Sequence, residues 1–146
     1  MALGNVFDTA ASAMSANSIR LNTTASNLAN AEAAASSSDQ TYRARHPVFA
    51  AATQQAMAIN FDTVGEDKGP VAGVQVLGIV ESGAPLQQRY EPDHPLANEE
   101  GYVFYPNVNP VEEMANMISA SRAYQMNVEV MNSAKTMMQR VLTLGQ

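Results

Sequence analysis

Two stretches at opposite ends of the chain carry the same apolar spacing. Near the start, Phe7, Met14, Leu21 and Leu28 recur every seven residues, with Ala10 or Ala11, Thr24 and Ala25 near the intermediate positions. Near the end, Met117, Tyr124, Met131 and Met138 do the same, joined by Ala120, Ala134 and Val141. A seven-residue repeat marks a helix that lies along another helix. The second stretch also has clear limits. Asn109 is a natural N-cap, Pro110 suits the first helical position, and Glu112 and Glu113 complement the positive end of the helix dipole. Lys135 and Arg140 stand toward the other end, and Gly145 is a stop signal.

A helix from Pro110 to Leu144 is about 50 Å long at the usual rise, more than one small β module covers. The simplest solution pairs the first helix with the last. The expected fold is therefore mainly α with a small β module: long N- and C-terminal helices form an antiparallel coiled coil, with short β-strands or a hairpin in the middle as the connecting tip. Residues 1–31 plus 109–146 make the helical domain, and residues 32–108 make the central loop and β-hairpin module.

Within that middle region, small polar residues at "AEAAASSSDQ" read as a loop. "TYRARHPVF" alternates and reads as a short strand edged by Pro47. In the stretch from Ala50 to Pro70, "AATQQAMAI" has the composition of a helical turn and "DTVGEDKGP" that of a charged loop. "VAGVQVLGIVESGAPLQQRYEP" reads as a hairpin turning at Gly83–Ala84–Pro85, and "GYVFYP" adds another short strand.

The helical faces are unusually neutral. Between Val6 and Ala31 only Asp8 and Arg20 carry charge, the rest being Ala, Ser, Thr and Asn around the stripe. Only 15% of the 146 residues are charged, against roughly 25% in a typical soluble domain. Ile118, Val128 and Val130 lie off the stripe of the last helix, so a single partner helix leaves them uncovered. Further helices from other copies are the expected cover. The net charge of −6 and the lack of clustered Lys and Arg argue against nucleic acid as a partner. No apolar run reaches the length of about 20 residues that a membrane helix needs. The absence of cysteine excludes disulfides and thiolate chemistry. The start, "MALGNVFDTAAS", has neither the basic beginning nor the apolar block of a cleaved secretion signal.

Catalysis finds no positive support. His94, beside Asp93 and near Glu99 and Glu100, offers ligand-type groups, but Pro92 and Pro95 mark a surface loop whose polar side chains make turns. The other histidine, His46, lies in a different segment and no metal-ligand spacing fits. Ser36, Ser37, Ser38 and Ser82 sit in no nucleophile elbow, and Gly65, Gly69, Gly73 and Gly78 are followed by no Gly-Lys-Ser/Thr. The nine methionines, mostly at helical spacing, read as packing residues. No catalytic residue, cofactor or metal is expected.

Several blocks together carry a resemblance: "MSANSIRLNTTASNLANAE", "YRARHPVF", "YEPDHPLANEEGYVFYPNVNPVEEM" and "MISASRAYQMNVEVMNSAKTMMQRVLTLGQ". The chain resembles the rod subunits of the bacterial flagellar basal body, and among them those of the proximal rod. The "SNLAN" motif, Ser26, Asn27, Leu28, Ala29 and Asn30, is common to rod, hook and hook-associated proteins, whereas "EPDHPLANEEGYV" and the "TLGQ" ending are more specific. A Thr often follows that motif in the group, and Glu32 and Ala33 stand there instead. The resemblance implies an axial building block that polymerises into a helical tube and transmits torque. It implies other copies, proximal and distal rod proteins and the flagellar type III export apparatus as partners, and a periplasmic rod as the location. A secreted helical adaptor of a type III export system is the competing class.

Overall fold

A computed structural model of the chain describes residues 2–52 and 73–144. The readings of "AATQQAMAI" after Ala52, of "DTVGEDKGP" and of Gly145 as a stop lie outside the described residues. Six elements follow in order: α1 (Ala2–Ala29), β1 (Arg45–Ala51), β2 (Val74–Glu81), β3 (Gln87–Tyr90), β4 (Tyr102–Tyr105) and α2 (Pro110–Leu144). Two long helices and two small antiparallel sheets make a mainly helical protein with a small β module.

The helix start predicted at Asn109 is present. Its side-chain oxygen accepts from the Val111 amide at 3.1 Å, and its carbonyl accepts the first helical bond from Glu113 at 3.0 Å. The helices run in opposite directions: the Arg20 guanidinium of α1 donates to Asn116 near the start of α2 at 2.9 Å, while Val6 shares a groove with Met126 and Met137. The seam is made of small residues. Ala10 is 3% exposed, Ala120 is 0% and Ala134 is 4%, and small side chains at these positions let the two axes approach. Polar residues share these packed surfaces because they satisfy themselves on their own helix. Asn17 donates to the Ala13 carbonyl and Thr23 to the Ile19 carbonyl, both at 2.8 Å.

The strands pair differently from the sequence expectation. β2 does not turn back on β3 through Gly83–Ala84–Pro85. It pairs antiparallel with β1, from Arg45↔Glu81 to Ala51↔Val74, with a bulge between Val48 and Phe49, while β3 pairs with β4 from Gln87↔Tyr105 to Tyr90↔Tyr102. The segment expected to turn is held elsewhere: the Asn107 amide donates to the Ser82 and Ala84 carbonyls at 3.3 and 2.9 Å. β1 also begins later than the "TYRARHPVF" reading, at Arg45 rather than Thr41. Pro47 sits inside it, tolerated because β1 has a single neighbouring strand.

The β1–β2 hairpin is not a tip on the helix pair. It lies along α1, with Val74 donating to the Ser12 hydroxyl at 3.2 Å and Arg45 bonded to Asn27. Ser12 and Asn27 are about 22 Å apart along the helix, which is close to the length of a seven-residue strand. The β3–β4 sheet is tied to this end through the loop after α1 and the Ala44–Asn107 bond. There Val103, Pro106 and Val108 are buried with Ala44, and Ala35 bridges to Phe104.

Gly101 turns the chain into β4 with φ of 81°, and a Cβ there would stand 2.9 Å from the Tyr90 ring. Gly101→Ala is expected to cost about 1–3 kcal/mol, the usual range for a residue forced into a rare backbone region. Urea unfolding checks this: the midpoint falls if the strain is real, and an unchanged midpoint contradicts it.

Candidate assembly site

The end of α1 carries a side chain bonded to three groups of the segment that opens β1. Asn27 is fully buried. Its amide donates to the Arg45 carbonyl at 2.8 Å, while its oxygen accepts from the Arg45 amide and the Tyr42 hydroxyl, each at 2.9 Å. One side chain thus satisfies both backbone groups of the first residue of β1 and fixes where the hairpin leaves the helix. Around it, the Ser26 hydroxyl lies 3.2 Å from that of Tyr42, and the Asn30 amide donates to the Ser26 carbonyl at 2.8 Å. Leu28 is half-buried and Ala29 exposed.

Asn107 repeats the device. Its oxygen accepts from the Ala44 amide at 2.8 Å while its amide holds the two carbonyls after β2. Asn98 does the same inside the turn before β4, accepting from Glu100 and Tyr102. The sequence reading picked out neither Asn107 nor Tyr42. The signal was present in the asparagines of "PNVN" and "PLANEE", residues whose short amides bond nearby backbone.

The candidate pairing residues divide by exposure. Phe7, Met14, Leu21, Leu28, Met117 and Met131 are half-buried, whereas Tyr124 and Met138 are each 38% exposed. The positions closed off from solvent on α2 are Glu113, Ala120 and Ala134, which alternate with the large ones. Large side chains therefore flank a narrow small-residue seam. Toward its end α2 is bare, with Met137, Val141 and Leu142 each about 60% exposed or more. Val111, Met114, Ile118, Met126 and Val130 are also open to solvent.

The candidate chemical residues sit in ordinary structural roles. His94 accepts from the Leu96 amide at 3.1 Å inside the turn, and His46 lies exposed in β1. Among the described residues no three His, Asp or Glu side chains gather as a metal would require. The Tyr105 hydroxyl donates to Glu91 at 3.2 Å, and burial together with that carboxylate pushes the phenol above its ordinary value. An open polar recess of 630 Å³ lies between the loop after α1 and the start of β1. Arg45, on its wall, is already paired with Glu81 at 3.0 Å. Among the described residues no helix is long and apolar enough to cross a membrane.

Residues 7–32 match the family described as "Flagella basal body rod protein", and residues 99–144 match "Flagellar basal body rod FlgEFG protein C-terminal". The matched segments are α1 with its motif and α2 with the strand before it. Over all 146 residues and the full length of each relative, the chain is 47% identical to the flagellar basal-body rod protein FlgC of Salmonella typhimurium and 48% identical to that of Escherichia coli. The chain belongs to the FlgC family of flagellar basal-body rod proteins. The relationship extends to the Borreliella burgdorferi FlgC, at 34% identity over 100% of this chain and 99% of that protein. The two segments matched by the rod families are thus the two that form the helix pair, with Asn27 in the first of them.

Asn27→Ala removes the partners of two buried backbone groups, each worth roughly 1–3 kcal/mol when left unpaired. The variant is expected to lose about 2–4 kcal/mol of stability by that reasoning, and Ser26→Ala almost none. Chemical denaturation of the two variants checks it, and equal effects contradict the bracket.

Proposed function

We propose that this chain is a structural subunit of the flagellar basal-body rod, built into its proximal part, where copies polymerise into a helical axial tube that transmits torque. Full-length identity to FlgC proteins carries the reading. The bare apolar side chains along α2 support it, since a helix about 50 Å long with such a surface is suited to burial among other helices. Partners are other copies of this chain and the proximal and distal rod proteins that adjoin it. The subunit reaches the periplasm through the flagellar type III export apparatus. Phe7, Met14, Leu21 and Leu28 pair with Met117, Tyr124, Met131 and Met138 inside the subunit and set the shape that neighbours pack against. Residues 1–31 plus 109–146 act as the helical assembly domain, and residues 32–108 as the module fastened to it.

Burying a Leu or Met side chain is worth about 1.5–3 kcal/mol, so a carboxylate at the pairing stripe opposes both the subunit and its assembly. Leu21→Asp and Met131→Asp are each expected to abolish rod formation and swimming. Basal bodies isolated from cells carrying each variant provide the check. Motile cells with normal rod content would remove the pairing stripe from the account. A soluble one-to-one complex with a single partner, in place of helical polymers, would favour a secreted adaptor.

A further inference from the structure

The last turns of α2 are open all round. Every residue from Lys135 to Thr143 is exposed, and such a stretch passes about two and a half times round the helix axis. Leu142 is 66% exposed. Lys135, Gln139 and Leu142 share one stripe of this stretch, four and three residues apart. Lys135 and Arg140 are its only charges, and both are positive.

The turn that joins β3 to β4 presents the complementary surface. The Tyr90 and Tyr102 rings meet edge to face with centres 5.4 Å apart, yet they remain 65% and 39% exposed, and Leu96 in the same turn is 43% exposed. Residues 91–100 include Glu91, Asp93, Glu99 and Glu100 and no Lys or Arg. Glu91 is engaged by the Tyr105 hydroxyl, whereas Asp93, Glu99 and Glu100 are exposed. Among the described residues the one ion pair joins Arg45 and Glu81. These three carboxylates, Lys135 and Arg140 therefore find no opposite charge within the subunit.

We propose that the β3–β4 turn is a docking site for the exposed end of α2 from a second copy of this chain, with Leu142 against the Tyr90 and Tyr102 rings and Lys135 facing Asp93, Glu99 and Glu100. This rests on the rod-subunit reading and assigns the turn a partner. Charge complementarity selects the occupant. A wholly positive helix end meets a turn that is wholly negative, and each side also offers exposed apolar surface. The β1–β2 hairpin exposes Leu77, Ile79 and Val80 as well, but its Arg45 and Glu81 already neutralise each other, so nothing there selects a positive partner. The open Tyr90 ring also suits a cation: in the same sheet the Arg89 guanidinium lies 4.6 Å from the centre of the Tyr105 ring. The two surfaces do not meet within one subunit. Leu142 is about 48 Å along α2 from Pro110, and the eight-residue stretch back to Tyr102 spans at most about 27 Å, which leaves at least about 20 Å between them. Because the surfaces differ, the contact is heterologous and joins copies head to tail rather than in a closed dimer.

The chain has no cysteine, so a pair of introduced thiols reports this contact alone. A disulfide needs Cα atoms within about 7 Å, so a bond between positions 102 and 142 joins two copies. Oxidising basal bodies from cells expressing the Tyr102→Cys/Leu142→Cys double variant is expected to give dimers and higher multimers of this chain. Intact rods that contain the variant and yield only monomer, or that link it only to another protein, overturn the proposal and leave the rod reading in place. Rods that contain no copies of the parent chain overturn the rod reading itself. If the cysteine variant is not incorporated, charge reversal decides. Lys135→Glu/Arg140→Glu and Glu99→Lys/Glu100→Lys should each lose swarming, and the two combined in one chain should recover it. Reversals that swarm like the parent, or a combination that fails to recover, overturn the proposal.

Discussion

The close approach of α1 and α2 along Ala10, Ala120 and Ala134 sets the terms for everything else in the subunit. Small residues on that seam bring the two axes together, and the larger stripe residues then close its flanks. The arrangement buries little apolar surface for the length of helix involved. It also commits each helix to one partner on one side only. α1 gains a second neighbour because the hairpin lies along it, but among the described elements α2 touches α1 alone, and its far end runs on with Val141 and Leu142 exposed. A subunit built this way leaves apolar helix surface open to the rod subunits it assembles with.

The middle of the chain is organised less by apolar packing than by asparagine. Asn27 and Asn107 each bond two or more backbone groups from other elements, and between them they determine where β1 begins and where β2 ends. Two-stranded sheets are weak on their own. Bracketing their ends to a helix and to the start of α2 is what holds these in register. The "SNLAN" motif therefore has an internal role at Asn27, where replacing the side chain strands strand backbone, alongside whatever its exposed members contribute between subunits.

Much of this was legible in the sequence. The seven-residue spacing gave both helices and their antiparallel pairing, and Asn109, Pro110 and the two glutamates marked the start of α2, because capping is a local property. Strand partners were not legible. Gly83–Ala84–Pro85 has the composition of a turn, and only contacts from Asn107, more than twenty residues away, draw it out of a β2–β3 hairpin. The hairpin's position along α1 depends likewise on Ser12 and Asn27. The stripe reading also favoured Met and Tyr over Ala, since periodicity scores weigh hydrophobicity. The seam is closed instead by residues too small to register strongly, and Tyr124 and Met138 stand at its rim.

The central claim is that the subunit's helices are completed by other copies of the chain, and hydrogen exchange tests it most directly by comparing the dilute monomer with assembled rods. In the monomer, amides at the start of β1 and along the α1–α2 seam should resist exchange, while those from Met137 to Leu144 should exchange quickly, as expected where few tertiary contacts cover a helix. In the rod the same segment should become protected. Equal protection of Met137–Leu144 in both states would contradict the account.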